Sequence, residues 1–179
     1  DKNEGMRQLK IYLTLSPARI GVWTNGVDKV VLEKRIGPDG GVTFRELPDL
    51  PCFGQSVAEI GEFRRGDLRS AHNLKTTFSL IRNHVAGNAV GSTRDEAIAG
   101  EIINLVFCKI FDEKFTAKDA VVNFRAGADE NDDQISTRIH RLFESVKQKY
   151  KQVFASDDVI SLDAASIRFV VGVLQKFCL

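Results

Sequence analysis

The chain has 179 residues, of which 43% are apolar and 27% charged, and its formal net charge is +1. That composition excludes an intrinsically disordered chain, and it leaves no whole-molecule field to gather nucleic acid, so such binding would need local patches. No apolar run approaches the roughly 18 residues of a membrane-spanning helix, and the opening Asp-Lys-Asn-Glu has no signal-peptide pattern.

The first apolar segment runs from Arg7 to Leu15, with Leu9, Ile11, Tyr12, Leu13 and Leu15 close together and Pro17 ending it; it predicts a short buried helix. Arg19–Thr24, Asn25-Gly26 and the β-branched run Val27–Ile36 predict a hairpin, because Asn-Gly supplies the positive φ angles of a tight turn. Gly37-Pro-Asp-Gly-Gly41 is a second turn, and Val42–Leu47 a third strand before Pro48–Pro51 breaks the pattern. Three strands and one helix make a thin core, so further strands are expected upstream.

Pro48–Gly66 reads as a connector with one helical turn at Ser56–Glu62, after which the apolar period changes from two to about 3.6. Asp67 can cap a helix whose Leu68, Ala71, Leu74, Phe78, Ile81 and Val85 share a face, and Gly87-Asn88 stop it. Ser92 or Thr93, with Asp95 or Glu96 three residues on, offers a capping box for a central helix carrying Ile98, Ile102, Leu105, Val106, Phe107, Ile110 and Phe111. After an acidic loop, Phe124–Asp133, the cleanest helical period follows: Ile135, Ile139, Leu142, Phe143, Val146, Tyr150, Val153 and Phe154. Leu162-Asp163 opens a last helix with Ile167, Val170, Val171, Leu174, Phe177 and Cys178 on one side. The fold class is therefore α+β: a partial antiparallel β-meander with one helix, then an all-α helical bundle.

No common catalytic constellation is present. Gly37–Gly41 is a turn rather than a phosphate loop, and Glu33 and Lys34, being adjacent on a strand, point to opposite faces and cannot form a nuclease-like pair. His72, His84 and His140 lack metal-ligand spacing and read as packing or solvated residues. The acids Asp112-Glu113 and Asp129–Asp133 read as solvated loops and caps, and Trp23 as core rather than a stacking platform. Cys52, Cys108 and Cys178, each beside a Phe, read as small buried residues in a reducing, cytoplasmic setting. Two basic groups stand out as phosphate contacts, set against plain solvated faces: Arg64, Arg65, Arg69, Lys75 and Arg82, and Arg138, Arg141, Lys147, Lys149 and Lys151 on the most regular helix.

Arg7-Gln8-Leu9-x-x-Tyr12 followed by Gly21-Val-Trp-Thr-Asn-Gly26 resembles the second half of the nuclease-like domain at the N-terminus of type I restriction enzyme subunits. By that resemblance Gln8 and Tyr12 match an accessory Gln-x-x-x-Tyr helix, while the metal-holding acids would lie upstream. Leu74–Ile81, Thr93-Arg-Asp-Glu96, Ile102–Glu113 and Leu142–Tyr150 resemble the helical domain that precedes the catalytic domain of N-6 adenine DNA methyltransferases in bacterial type I restriction-modification systems.

The resemblance implies residues 1–50 as part of a restriction-endonuclease-like domain, 51–66 as linker, and 67–179 as the helical domain. It implies a fragment without catalytic residues or a metal site, contacting double-stranded DNA weakly through phosphates, or contacting other domains or subunits. S-adenosylmethionine, and magnesium, are expected for the parent only. The lack of an initiating Met and the apolar end at Phe169–Leu179 also point to a piece of a longer protein. The competing expectation is a structural helical interaction module with no nucleic-acid role.

Overall fold

The computed structural model describes residues 2–26, 28–47, 49–51, 53, 55–71, 73–88 and 95–179. It is an α+β protein that divides into two compact units, Asp1–Ile60 and Gly61–Leu179. No described helix is long and apolar enough to cross a membrane.

In the first unit, helix α1 (Lys2–Leu15) is followed by strands β1 (Ile20–Thr24), β2 (Lys29–Ile36) and β3 (Val42–Leu47) in an antiparallel sheet of order β1-β2-β3. Ile20 pairs with Glu33 across β1–β2, and Arg45 with Glu33 across β2–β3. Among the described residues β1 and β3 each pair on one side only. Alternation then sorts β2: Val30 and Leu32 join Leu13, Leu9, Met6, Trp23 and Phe44 in a small core, while Glu33 points to the other face.

The helix is not buried as the apolar run suggested. It begins at Lys2, only Leu13 is buried, and Tyr12 and Leu15 are exposed, because a three-stranded sheet covers one narrow stripe. That stripe includes Gly5, where an added Cβ would stand 1.9 Å from the Trp23 indole nitrogen. Trp23 is thus part of this small core. Lys34 closes the end of α1, its ammonium donating to the carbonyls of Leu13 (2.8 Å) and Ser16 (2.6 Å), where unpaired helix carbonyls favour a cation.

The first hairpin loop also differs from a two-residue turn. Thr24 pairs with Lys29, the Asn25 N–H donates to the Asp28 carbonyl, and of the loop pair Asn25-Gly26 only Gly26 has a positive φ, 87°. Asn25 instead turns the chain with its side chain, whose Oδ1 accepts from the Asp28 N–H at 2.6 Å. The Gly37–Gly41 turn forms as read, with Gly40 at φ 77°.

The second unit packs helices α2 (Leu74–Asn88), α3 (Asp95–Phe115), α4 (Asp132–Lys149) and α5 (Ala164–Leu174) around one apolar core. Ile81, Leu105, Ile135, Ile139, Val146, Ile167, Val170 and Leu174 are all fully enclosed there. Each such side chain contributes roughly 1.5–3 kcal/mol by leaving water. Asn131 and Gln134 form a reciprocal capping box at the start of α4, and Asp163 accepts from the Ser166 N–H at 2.7 Å to start α5. Ser92 and Thr93, read as caps of α3, lie outside the described residues, as do His72 and Cys52.

Three stretches expected to be helical are not: α4 ends at Lys149, so Tyr150, Val153 and Phe154 follow it in a turn, and two further stretches are taken up by other structure. Asp67 ends a 3-10 turn, Arg65–Asp67, and Arg69–Ser70 (β4) pairs in parallel with Phe177–Cys178 (β5), so α2 starts only at Leu74 and α5 stops at Leu174. Residues 61–66, read as the end of a connector, belong to this unit. The Val122 N–H donates to the Phe63 carbonyl, and the Arg65 and Gly66 N–H groups donate to the carbonyls of Ala120 and Lys118.

Candidate nucleic-acid interface

Helix α4 decides which basic residues can meet a ligand. Its buried stripe is Ile135, Ile139, Leu142, Phe143 and Val146. Arg138 stands three residues after Ile135 and four before Leu142, and Lys147 four after Phe143, so both rise from the edge of that stripe rather than from the solvated face.

Arg138 is accordingly consumed by the fold. Its Nε donates to the Asn123 carbonyl (2.9 Å) and its Nη2 to the Arg125 carbonyl (2.7 Å), while both Nη groups grip the Glu130 carboxylate. Glu130 also accepts from the Gly127 N–H at 2.7 Å. Burial pushes its carboxyl up, but the bonds from Arg138 and Gly127 and the charges of Arg138 and Arg125 outweigh that and hold it below the usual carboxylate range. Arg168 completes the arrangement, donating to the Glu130 carbonyl (2.8 Å) and to Asp132 (3.1 Å). Read as solvated, Glu130 and Asp132 are in fact what pins the 123–132 loop to α4 and α5.

Lys147 is 9% exposed, and its ammonium donates to the carbonyls of Ser156 (3.1 Å) and Asp158 (2.9 Å) and pairs with Glu144 (2.8 Å). Arg64 donates to the Asp119 carbonyl at 2.5 Å, and Arg82 pairs with Asp95 at 2.7 Å. The remaining members of the two basic groups, Arg65, Arg69, Lys75, Arg141, Lys149 and Lys151, are exposed, and none has a carboxylate partner among the described residues. Arg65 and Arg69 share the 65–70 turn and strand; Lys149 is the last residue of α4, and Lys151 lies in the turn just after it.

On α1, Gln8 and Tyr12 sit one turn apart on the same side. Gln8 donates to Glu4 at 3.3 Å and Tyr12 is 66% exposed.

A buried polar cluster on α3 includes Lys109, which the sequence did not single out, beside Asp112 and Glu113. Leu105, Cys108, Lys109 and Asp112 follow helical spacing along the core side of α3, so an ammonium and a carboxylate go inside with the apolar residues. Lys109 pairs with Glu113 at 2.9 Å; burial pulls its ammonium below the usual lysine range against the opposing pull of Glu113. Asp112 accepts from the Phe124 N–H (2.7 Å), Asn123 (3.0 Å) and Thr116 (3.0 Å), and Glu113 from the Leu179 N–H (3.1 Å). These carboxylates hold loop and strand ends to α3, contrary to their reading as solvated. The signal was available in the i, i+3, i+4, i+7 spacing.

Cys108 is buried, and burial followed by the Asp112 charge pushes its thiol up to about 12, which makes it inert. Cys178, expected to be buried, lies exposed on β5, its thiol raised first by its hydrogen bond to Glu113. His84 stacks flat on Phe169 at 3.5 Å, and His140 lies between the Ser136 and Ile160 carbonyls, as expected of packing histidines. Opposite the small core of the first unit, Glu33 is fully covered and bonded to Arg19 (2.9 Å), Arg35 (3.0 Å) and Arg45 (2.8 Å). Burial raises its carboxyl, but the three guanidinium groups outweigh it and leave it lowered.

Among the described residues no group of three His, Cys, Asp or Glu is placed to hold a metal ion. No family model matches the chain, and no curated protein or solved structure matches it.

Proposed function

We propose that this chain is a non-catalytic, DNA- or subunit-contacting region of a bacterial, cytoplasmic restriction-modification protein, whose parent is an N-6 adenine DNA methyltransferase of the type I restriction enzyme class. The reading rests on the residue patterns at Gln8–Tyr12, Gly21–Gly26, Ile102–Glu113 and Leu142–Tyr150. The observation that carries DNA binding is the division of the basic residues: Arg138 and Lys147 are spent inside, whereas Arg65, Arg69, Lys75, Arg141, Lys149 and Lys151 are exposed with no carboxylate partner among the described residues. Exposed cations of this kind neutralise phosphates without reading sequence, which gives weak, salt-dependent duplex binding. S-adenosylmethionine and magnesium belong to the parent's chemistry in this proposal, and no residue of this chain is assigned to either.

Fluorescence anisotropy with a labelled duplex at low and high salt tests it. Binding at low salt that fades as salt rises, and that weakens in Arg65→Glu/Arg69→Glu and Lys149→Glu/Lys151→Glu, is the expected result. No binding at low salt removes the DNA half.

A second reading, a helical protein-interaction module, is favoured by the exposed apolar residues Ile103, Ile110 and Val153, 52%, 41% and 56% exposed. It predicts that those charge reversals leave duplex affinity of the parent unchanged.

A further inference from the structure

The end of α3 carries an aromatic residue that neither basic group accounts for. Phe115 is 51% exposed, yet its ring is propped. It lies 4.7 Å from the Phe111 ring at 46°, and Phe111 in turn meets Tyr150 nearly edge-on at 82°. A half-exposed ring on an aromatic footing is a fixed platform rather than a loose side chain.

Two ammonium groups lie against that same ring, Lys114 at 5.8 Å and Lys149 at 5.5 Å from its centroid. Neither is paired with a carboxylate among the described residues, and Lys151 follows two residues after Lys149. Contacts of an exposed cation with a ring face are weak, so each lysine can leave the ring for a stronger anionic partner and uncover it. The site then offers what a single strand presents in alternation, a flat π face for a base and positive charge for the flanking phosphates. A duplex hides its base faces in its own stack, so the ligand must be unpaired. A purely apolar protein partner would fit the ring but leave the lysines facing nothing.

We propose that Phe115, flanked by Lys114 and Lys149, is a stacking site for an unpaired base of single-stranded DNA. The inference rests on the nucleic-acid reading above and adds a ligand class to it.

The test uses the full chain and two labelled probes of equal length, an oligo(dT) strand and an abasic deoxyribose-phosphate strand, read by anisotropy at low salt. Wild type should bind oligo(dT) more tightly than the abasic strand. Phe115→Leu should weaken oligo(dT) binding about tenfold with the abasic strand unaffected, and Phe115→Trp should restore the difference. Lys114→Gln with Lys149→Gln should weaken both probes together and flatten the salt dependence. Thermal melts of each variant check that the fold is kept.

The inference is overturned if wild type binds the two strands equally, if Phe115→Leu leaves their ratio unchanged, or if a poly-glutamate peptide binds the Phe115 site as well as oligo(dT). Should duplex binding still depend on Arg65, Arg69 and Lys151 in that event, the broader reading stands and only the stacking site is lost. Absence of binding to duplex and single strand alike removes the broader reading itself.

Discussion

Gly61 is pressed against Ala126: with φ at 87°, a Cβ on Gly61 would lie 2.1 Å from the Ala126 carbonyl oxygen and 2.9 Å from the Gly127 Cα. The glycine opens the second unit, so the packing of its first residue against the 123–132 loop depends on having no side chain there.

Gly26 has the same φ, but a Cβ added there would meet nothing within 4 Å, and so it separates backbone strain from collision. Gly26→Ala should cost about 1–2 kcal/mol, the price of a left-handed alanine. Gly61→Ala should cost more, because backbone atoms must also move. Guanidinium titrations distinguish the units: Trp23, the one tryptophan, reports the first, and far-ultraviolet circular dichroism mainly the helical second. Gly61→Ala should lower the dichroism midpoint and leave the Trp23 transition in place, while Gly26→Ala does the reverse.

The Arg138–Glu130 pair sets an acid limit. Glu130 and Glu33 both have folded-state carboxyls held below their ordinary 4.5. Their contribution is complete above that value and is lost as pH falls through the lowered folded values, so stability should drop on acidification below about pH 4.5. Glu130→Gln should flatten the acid slope of the dichroism-monitored transition, and Glu33→Gln that of the Trp23-monitored one. Arg138→Leu should cost roughly 2–3 kcal/mol at pH 7, since it strands a partly buried carboxylate.

Lys109 and Glu113 answer to each other inside the bundle. Lys109→Met should destabilise by about 3 kcal/mol because Glu113 is left charged and without its ammonium. Adding Glu113→Gln, which removes the charge but keeps an acceptor for the Leu179 N–H, should recover much of that loss in a denaturation midpoint.

Charge reversals separate phosphate contacts from supports of the fold. Arg138→Glu and Lys147→Glu should lower the melting temperature, so any loss of DNA binding in them is indirect. Arg141→Glu and Lys151→Glu should melt as wild type does. If either contacts a phosphate, its reversal should lower the slope of log affinity against log salt by about 0.9.

What was legible in the sequence was local. The three strands at 19–47, the Gly37–Gly41 turn, the apolar period of α4 as far as Val146 and the start of α5 at Asp163 follow from neighbouring residues; the first hairpin's loop and the end of α4 at Lys149 did not come out as read. Errors arose where a distant partner overrides a local pattern. Leu68 and Ala71 fit a helical face, yet Arg69–Ser70 is drawn into a strand by Phe177–Cys178. Charge also misled: Asp112 and Glu113 looked solvated because burying ions is costly, yet pairing with Lys109 and backbone bonds offset that cost. For the interface, the basic residues were visible in the sequence but their availability was not, since Arg138 and Lys147 find carbonyls on the loops that flank α4. Phe115 passed unnoticed as the last apolar residue of a helix.

The β4–β5 pair has a consequence for how the second unit is made. Its two strands are separated by more than a hundred positions and all of α2 through α5. During synthesis Arg69–Ser70 emerges ahead of the four helices and waits for a partner that leaves the ribosome only after them. Closing so long a loop is slow compared with forming a helix. Folding of this unit should therefore finish in a late step, with the backbone edge of Arg69–Ser70 open to other extended chains until Phe177 arrives.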